Sequence, residues 1–177
     1  MVSLKRSGHL KARMLGTLGG VLLLSSAHDA AAAPARAAMM VSVTVESRCT
    51  VSASPLGFGS YQPGQGAVAA RTTLAVLCSR GAPFVVALDA GAAGSLAQRQ
   101  MTLGSAVLPY NLYTTPAHTT VWGDGTQGTA TVSGVGRGFT SGAAITQTVY
   151  GQVPDTAANV HLAPGLYTDT ITVTIDY

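Results

Sequence analysis

The C-terminal stretch of the sequence places the tightest constraint on the fold. From Thr170 to Tyr177 apolar and polar residues alternate without a break, and the apolar face carries Ile171, Val173, Ile175 and Tyr177. Such period-2 alternation of β-branched residues predicts a β-strand. An apolar strand pairs along both edges or leaves backbone groups exposed. No strand follows Tyr177 in the sequence, so we expect one neighbour from earlier in the chain, and the source of the second neighbour decides the function.

The first residues have the layout of a secretory signal peptide. Residues 1–13 are basic, residues 14–27 form an apolar run, and small residues follow up to Ala35-Arg36-Ala37. This order of segments is typical of exported proteins. A membrane anchor is the weaker interpretation, because the run is interrupted by glycine and is shorter than the ~20 residues that cross a bilayer as a helix. We predict a signal peptide over residues 1–37, with cleavage after Ala37 or, as an alternative, after Ala32.

Charge argues against a nucleic-acid partner. The whole chain has a formal charge of +3, but five arginines and six acidic residues follow residue 37, which leaves about −1. The basic residues that suggest nucleic-acid binding therefore belong to the leader. Charged residues make up 10% of the chain, against about 25% in typical soluble domains. A surface so poor in charge suits an extracellular structural protein or a surface covered by neighbours.

Two cysteines, Cys49 and Cys78, remain after the leader. An oxidising compartment and an even number of cysteines predict one disulfide. A metal site is the weaker alternative, because neither cysteine has a second cysteine or a histidine at ligand spacing.

Alternating segments bounded by glycine and proline predict an all-β sandwich in a single domain. Strands are predicted over residues 39–47, 49–53, 72–78, 83–89, 103–113, 129–132 and 145–153, ahead of the terminal strand. Pro109 predicts that its strand lies at a sheet edge, because proline cannot donate to a ladder. No helical apolar stripe follows the leader.

The search for catalytic or cofactor-binding residues finds none. His118 and His161 have no partners at metal or triad spacing, and the carboxylates are scattered singly. Glycines 134, 136 and 138 lack the spacing and the following helix of a phosphate loop, so a hairpin turn is predicted there. Trp122 is interpreted as a core residue rather than as a platform for sugars. We therefore predict no enzyme activity, no metal and no cofactor.

Short motifs follow one another along the chain in an order typical of one family. They are Cys49-x-Val51, Phe58-Gly59-x-Tyr61, Leu74-x-Val76-x-Cys78, Arg99-x-Met101, Leu108-x-Tyr110-x-Leu112-Tyr113, Trp122-Gly123-Asp124-Gly125, Tyr150-Gly151-x-Val153-Pro154 and Pro164-Gly165-x-Tyr167-x-Asp169. The set resembles the spore coat protein U domain, the domain of pilin subunits in archaic, Csu-type chaperone–usher pili. The resemblance covers essentially the whole chain after the leader.

The resemblance implies an incomplete immunoglobulin-like sandwich that lacks its last strand. A periplasmic chaperone fills the gap first, an outer-membrane usher assembles the fibre, and the N-terminal extension of the next subunit replaces the chaperone. Residues 38–47 are then the donor-strand extension and residues 48–177 the pilin domain. The donor's buried face is Met39, Val41, Val43 and Val45, and the acceptor edge strand is Ile171, Val173, Ile175 and Tyr177.

The implied function is a structural subunit of a cell-surface pilus that supports adhesion or biofilm formation. The protein passes through the periplasm, and its partners are the chaperone, the usher and other pilin subunits. A spore coat or extracellular matrix protein is the alternative, since the family name comes from such a role. A carbohydrate-binding module is a third class, but it needs several aromatic residues exposed together, and only 6% of the residues are aromatic.

Overall fold

The computed structural model describes residues 33–177. The predicted leader therefore lies almost wholly outside the described residues. The chain divides into two compact units, Met1–Ser42 and Val43–Tyr177. Of the first unit, residues 33–42 are described and carry no strand or helix. The second unit contains every element described below.

Two antiparallel sheets make up the second unit. Its strands are β1 Cys49–Ala53, β2 Val68–Cys78, β3 Pro83–Leu88, β4 Arg99–Leu103, β5 Ala106–Tyr113, β6 Val132–Val135, β7 Ile145–Val153 and β8 Val173–Asp176. One sheet has the order β1-β2-β7-β5-β4 and the other the order β6-β3-β8. A short 3-10 helix, Ala157–His161, lies between β7 and β8. The all-β sandwich predicted from the sequence is confirmed.

The core forms where the alternating faces of the two sheets meet. In the second half of β2 and throughout β3 every second side chain is buried, and these side chains are Leu74, Val76, Cys78, Phe84, Val86 and Leu88. Trp122 is 1% exposed, and its indole Nε1 donates to the Val86 carbonyl oxygen at 3.0 Å. The interpretation of Trp122 as a core residue is therefore correct.

The disulfide joins Cys49 and Cys78, which lie opposite each other in the β1–β2 register. The pairing agrees with the prediction from export and the even cysteine count. The two cysteines are separated by 29 residues. Closing a loop of that size stabilises the fold by about 3–4 kcal/mol in the chain-entropy model.

The strand predicted over residues 103–113 corresponds to β5, and its assignment to a sheet edge is wrong. β5 forms a hairpin with β4 and lies between β4 and β7. Its ladder to β7 begins only at Asn111, beyond Pro109. Proline is tolerated here because the second partner strand pairs with the part of β5 that follows it.

The turn predicted at glycines 134–138 also differs in the structure. Gly134 belongs to β6 and pairs with Phe84 of β3. A Cβ at this position would clash with the Phe84 ring, so glycine here allows close packing inside a strand. The strand predicted over residues 129–132 lies later in the chain, as β6 at Val132–Val135. Ala130, within the predicted range, makes only a single bridge to Trp122.

Candidate functional site

An open apolar groove of about 1060 Å³ lies in one side of the second unit. One wall is the segment 53–63 at the end of β1, and the other is the segment 162–173 that leads into β8. The groove reaches the hydrophobic core, because its floor includes Leu74, Leu88, Leu108, Tyr110, Leu112, Val149 and Val153. Soluble monomeric proteins rarely expose a large contiguous apolar surface, and where they do, that surface usually marks an interaction site. The groove is therefore the candidate interaction site.

The strand beside this groove has a free edge. Within residues 33–177, β8 pairs with β3 and with no second strand. The predicted alternation is present, because Ile171, Val173 and Ile175 pack against the core while Thr172 and Thr174 are exposed. The three apolar side chains are nevertheless half-buried rather than buried. The edge therefore has unpaired backbone groups next to incompletely covered apolar side chains, the template for strand addition.

The predicted acceptor residues do not all line the groove. Ile171 and Val173 lie in its wall. Ile175 packs against the core outside the groove, and Tyr177 is 59% exposed. The opening is thus concentrated where β8 begins, toward the end of the sandwich away from the disulfide.

A hydrogen-bonded cluster around Asp155 holds the first wall. Tyr61 donates its hydroxyl to Asp155 Oδ1 at 2.7 Å, and the backbone N–H groups of Gly64 and Gly66 donate to the two carboxylate oxygens at 3.0 and 2.7 Å. Asn159, which is fully buried, donates to the Tyr61 hydroxyl oxygen at 2.8 Å. These contacts fix a glycine- and proline-rich loop that has no strand partner of its own.

This cluster predicts a local response to acid. The hydrogen bond from Tyr61, together with those from Gly64 and Gly66, lowers the pKa of Asp155. A lowered pKa means that the stabilisation is complete above the unfolded value of about 4 and is lost as pH falls through the folded value. We expect the amide resonance of Gly66 to titrate with a midpoint below the ordinary value for an aspartate in NMR spectra.

The matched control is Asp155→Asn, in which the Gly66 resonance loses this titration and the loop exchanges its amide protons faster. Asp124 is the internal reference, because its lowered pKa comes from hydrogen bonds with neighbouring Thr126. A Gly66 midpoint at or above the ordinary value for aspartate would show that Asp155 does not hold the wall.

A second carboxylate, Asp169, holds the other wall. Tyr110 donates its hydroxyl to Asp169 Oδ2 at 2.6 Å, and Ala92 N donates to Oδ1 at 2.9 Å. Burial and the hydrogen bond to Asp169 raise the pKa of Tyr110. Next to this contact, Thr168 and Thr102 exchange backbone hydrogen bonds at 2.9 and 3.1 Å. The segment that precedes β8 is therefore tied to the β4–β5 hairpin.

Arg99 is a buried residue that joins several segments, a role that the sequence did not predict. The side chain is 0% exposed, and it donates to the carbonyl oxygens of Asp89 at 2.9 and 2.7 Å and Trp122 at 2.8 Å. It also donates to Asn111 Oδ1 at 2.6 Å. Burial lowers the pKa of Arg99. The guanidinium joins the end of β3, the β4–β5 hairpin and the Trp122 segment beside the groove floor.

The predicted donor segment is exposed along its whole length. Met39, Val41, Val43 and Val45 are 81–88% exposed, and residues 39–47 form no strand. The strand predicted here from alternation has no partner ladder within the described residues, and a strand forms only against a partner.

The remaining polar residues suggest no chemistry. His118 contacts the Tyr113 ring edge-on at 5.1 Å, and His161 ends the 3-10 helix. Among residues 33–177 no group of three His, Cys, Asp or Glu side chains is placed to bind a metal. In the same residues no helix is long and apolar enough to cross a membrane.

Comparison with protein families identifies the chain. The model of the Spore Coat Protein U domain matches residues 35–174. The chain belongs to the Spore Coat Protein U domain family. The match to this domain begins before Met39, so it includes the exposed segment as well as the sandwich. A search of curated proteins gives no match.

Among solved structures, the Spore Coat Protein U fold is similar to a chain from the CsuC–CsuE chaperone–tip adhesion subunit pre-assembly complex of archaic chaperone–usher Csu pili of Acinetobacter baumannii. The TM-score is 0.51 and the sequence identity 22%. The alignment covers 76% of this chain and 40% of the other, so this protein spans well under half the length of that chain. At this identity the likeness concerns the fold.

Proposed function

We propose that the protein is a structural subunit of an archaic chaperone–usher pilus that polymerises by donor-strand complementation. The observation that carries the proposal is the free edge of β8 beside a groove that opens into the core. A strand added at that edge satisfies its backbone groups, and the alternate side chains of the strand fill the groove.

The donor we propose is the segment Met39–Val45 of another subunit. Four of its side chains alternate on one face, and its seven residues extend over about 24 Å as a strand. Burying four apolar side chains contributes about 6–12 kcal/mol before the entropy cost of ordering. Support comes from the exposure of these side chains, which is 81–88%.

The partners in this proposal are a periplasmic chaperone, an outer-membrane usher and other pilin subunits. Support comes from the family and from the fold shared with a chain of a chaperone–subunit complex. The protein is accordingly exported to the cell surface, where the fibre supports adhesion or biofilm formation. We assign it a structural role without catalysis, and a coat or matrix protein is less well supported.

A synthetic peptide of residues 38–47 tests the donor-strand mechanism. Added to the mature protein at about 100 times its dissociation constant, it stabilises the fold by about 2.7 kcal/mol. For a domain of this size that raises Tm by about 10 °C. Thermal unfolding measures the shift, and native mass spectrometry measures the expected 1:1 complex.

The control peptide carries Val43→Asp, which places a charge on the buried face, and it produces no shift. Equal stabilisation by both peptides, or by neither, contradicts the proposal.

A further inference from the structure

The end of the sandwich that carries the disulfide also carries exposed arginines. Ser79 N donates to the Arg48 carbonyl oxygen at 2.8 Å, and Arg48 N donates to Ser79 Oγ at 3.0 Å. The β1–β2 ladder therefore extends one residue beyond the disulfide, and it places Arg48 next to Arg80, the residue after Ser79. Both side chains are exposed.

A third arginine approaches the same surface from the segment after β6. Gly138 N donates to the Cys78 carbonyl oxygen at 2.9 Å, which holds the neighbouring Arg137 beside the disulfide. The Arg48 guanidinium lies 5.5 Å from the centre of the Phe139 ring, and Phe139 is 46% exposed. We call Arg48, Arg80, Arg137 and Phe139 the arginine surface. Two acids lie toward this end, Glu46 and Asp176.

The opposite end is acidic, and one of its acids, Asp169, lies in the groove wall. The acids there are Asp89 after β3, Asp124 beside the Gly123 contact with Leu88, Asp155 after β7 and Asp169 in the groove wall. The cations toward this end are Arg71 in β2, which is exposed, and Arg99, which is buried. The two ends of the sandwich thus carry opposite charge.

Chain length brings one of these ends against the neighbouring subunit. Three residues, 46–48, separate the donor Met39–Val45 from Cys49 of β1, so Val45 and Cys49 are at most about 14 Å apart. The arginine surface of the donor subunit must therefore contact its neighbour wherever the donor strand leaves the groove.

Strand direction decides which end is contacted. The register Leu88↔Val173 and Val85↔Asp176 shows that β8 runs from the acidic end toward the disulfide end. A donor antiparallel to β8 leaves at the acidic end, so arginines meet aspartates. A donor parallel to β8 leaves at the other end, where the arginine surfaces of two subunits repel each other.

We infer that the arginine surface of each subunit docks on the acidic groove end of a second copy, with the donor strand antiparallel to β8. This inference rests on the proposed function and adds to it a second, electrostatic interface. Complementary charges at the rim of an interface act mainly on the rate and orientation of association. The contact therefore speeds polymerisation and sets its polarity, whereas the groove supplies affinity.

The test replaces Arg80 and Arg137, which lie outside the donor and the groove. We expect Arg80→Glu/Arg137→Glu to slow polymerisation of the mature subunit at low salt by about 10-fold or more, and to remove most of its salt dependence. The matched control, Arg80→Lys/Arg137→Lys, keeps both charges and polymerises at close to the wild-type rate. Light scattering at several salt concentrations measures the rates.

The peptide of residues 38–47 distinguishes a failure of the docking contact from a failure of the donor-strand mechanism. It lacks the arginine surface, so it binds the Glu variant as it binds the wild type. Polymerisation of the Glu variant at the wild-type rate, with peptide binding retained, overturns the docking contact and leaves the donor-strand mechanism standing. Failure of the wild-type protein to bind the peptide overturns the proposed function and this contact together.

Discussion

Val43→Asp abolishes polymerisation of the mature subunit, whereas Thr44→Asp, one residue later, leaves it intact. The contrast follows from strand geometry, because successive side chains point to opposite faces. In the proposed fibre Val43 enters the groove of the neighbour and Thr44 faces solvent. An unpaired charge buried in that groove costs several kcal/mol, a large share of what the four apolar side chains contribute. Electron microscopy and sedimentation of the mature variants measure fibre formation.

Chaperone binding is the control for this pair of variants. Val43 lies outside the core of its own subunit and is 87% exposed, so Val43→Asp still forms the chaperone complex and folds there. Fibres of equal length from both variants, or loss of the chaperone complex in Val43→Asp, would show that residues 39–45 are not the donor.

Replacing Arg99 by Met destabilises the fold by about 2–6 kcal/mol, because two buried carbonyl oxygens lose their hydrogen-bond donor. Met keeps an unbranched apolar stem, but it leaves the carbonyl oxygens of Asp89 and Trp122 without their donor, while Asn111 Oδ1 keeps only the hydrogen bond from Leu112 N. Each buried acceptor left unpaired costs about 1–3 kcal/mol. Urea unfolding of the peptide-filled protein measures the loss, because the peptide keeps the groove occupied in both proteins.

Arg71→Met is the matched control, since Arg71 is exposed and its replacement costs less than about 0.5 kcal/mol. Arg99→Lys tests geometry, because a lysine ammonium keeps the charge but cannot reproduce the planar fork of donors. It therefore restores only part of the stability. An unfolding midpoint for Arg99→Met equal to that of Arg71→Met would refute the structural role of Arg99.

Strands with clear alternation were predictable from the sequence. Residues 145–153 were predicted with the bounds of β7, and the alternating faces of β2, β3 and β8 were identified correctly. β4 was missed because its residues are largely polar: Arg99, Gln100 and Thr102 give no apolar face. Arg99 is buried only because carbonyl groups distant in sequence converge on it, and no local pattern reveals such convergence.

The sequence predicts that the last strand has an open edge, but it does not predict where along that strand the groove lies. The alternation after Thr170 correctly indicated an edge that needs a partner. Glycine and proline interrupt the first wall, so its sequence predicts no strand there. Its position depends on the hydrogen bond between Tyr61 and Asp155, which are 94 residues apart. Contacts of that range decide which part of the edge strand borders the opening: Ile171 and Val173 lie in the groove wall, whereas Ile175 and Tyr177 lie outside it.

The place of the disulfide has a mechanical consequence for a fibre of such subunits. Tension along the fibre would enter each subunit through residues 46–48 and reach Cys49 first. Without a cross-link, that pull would be resisted only by the ladder of β1, an edge strand of five residues. The bond to Cys78 instead passes the force directly into β2, which has eleven residues and pairs on both sides. The sheet is then loaded in shear along its longest strand, so all the ladder hydrogen bonds of β2 resist together.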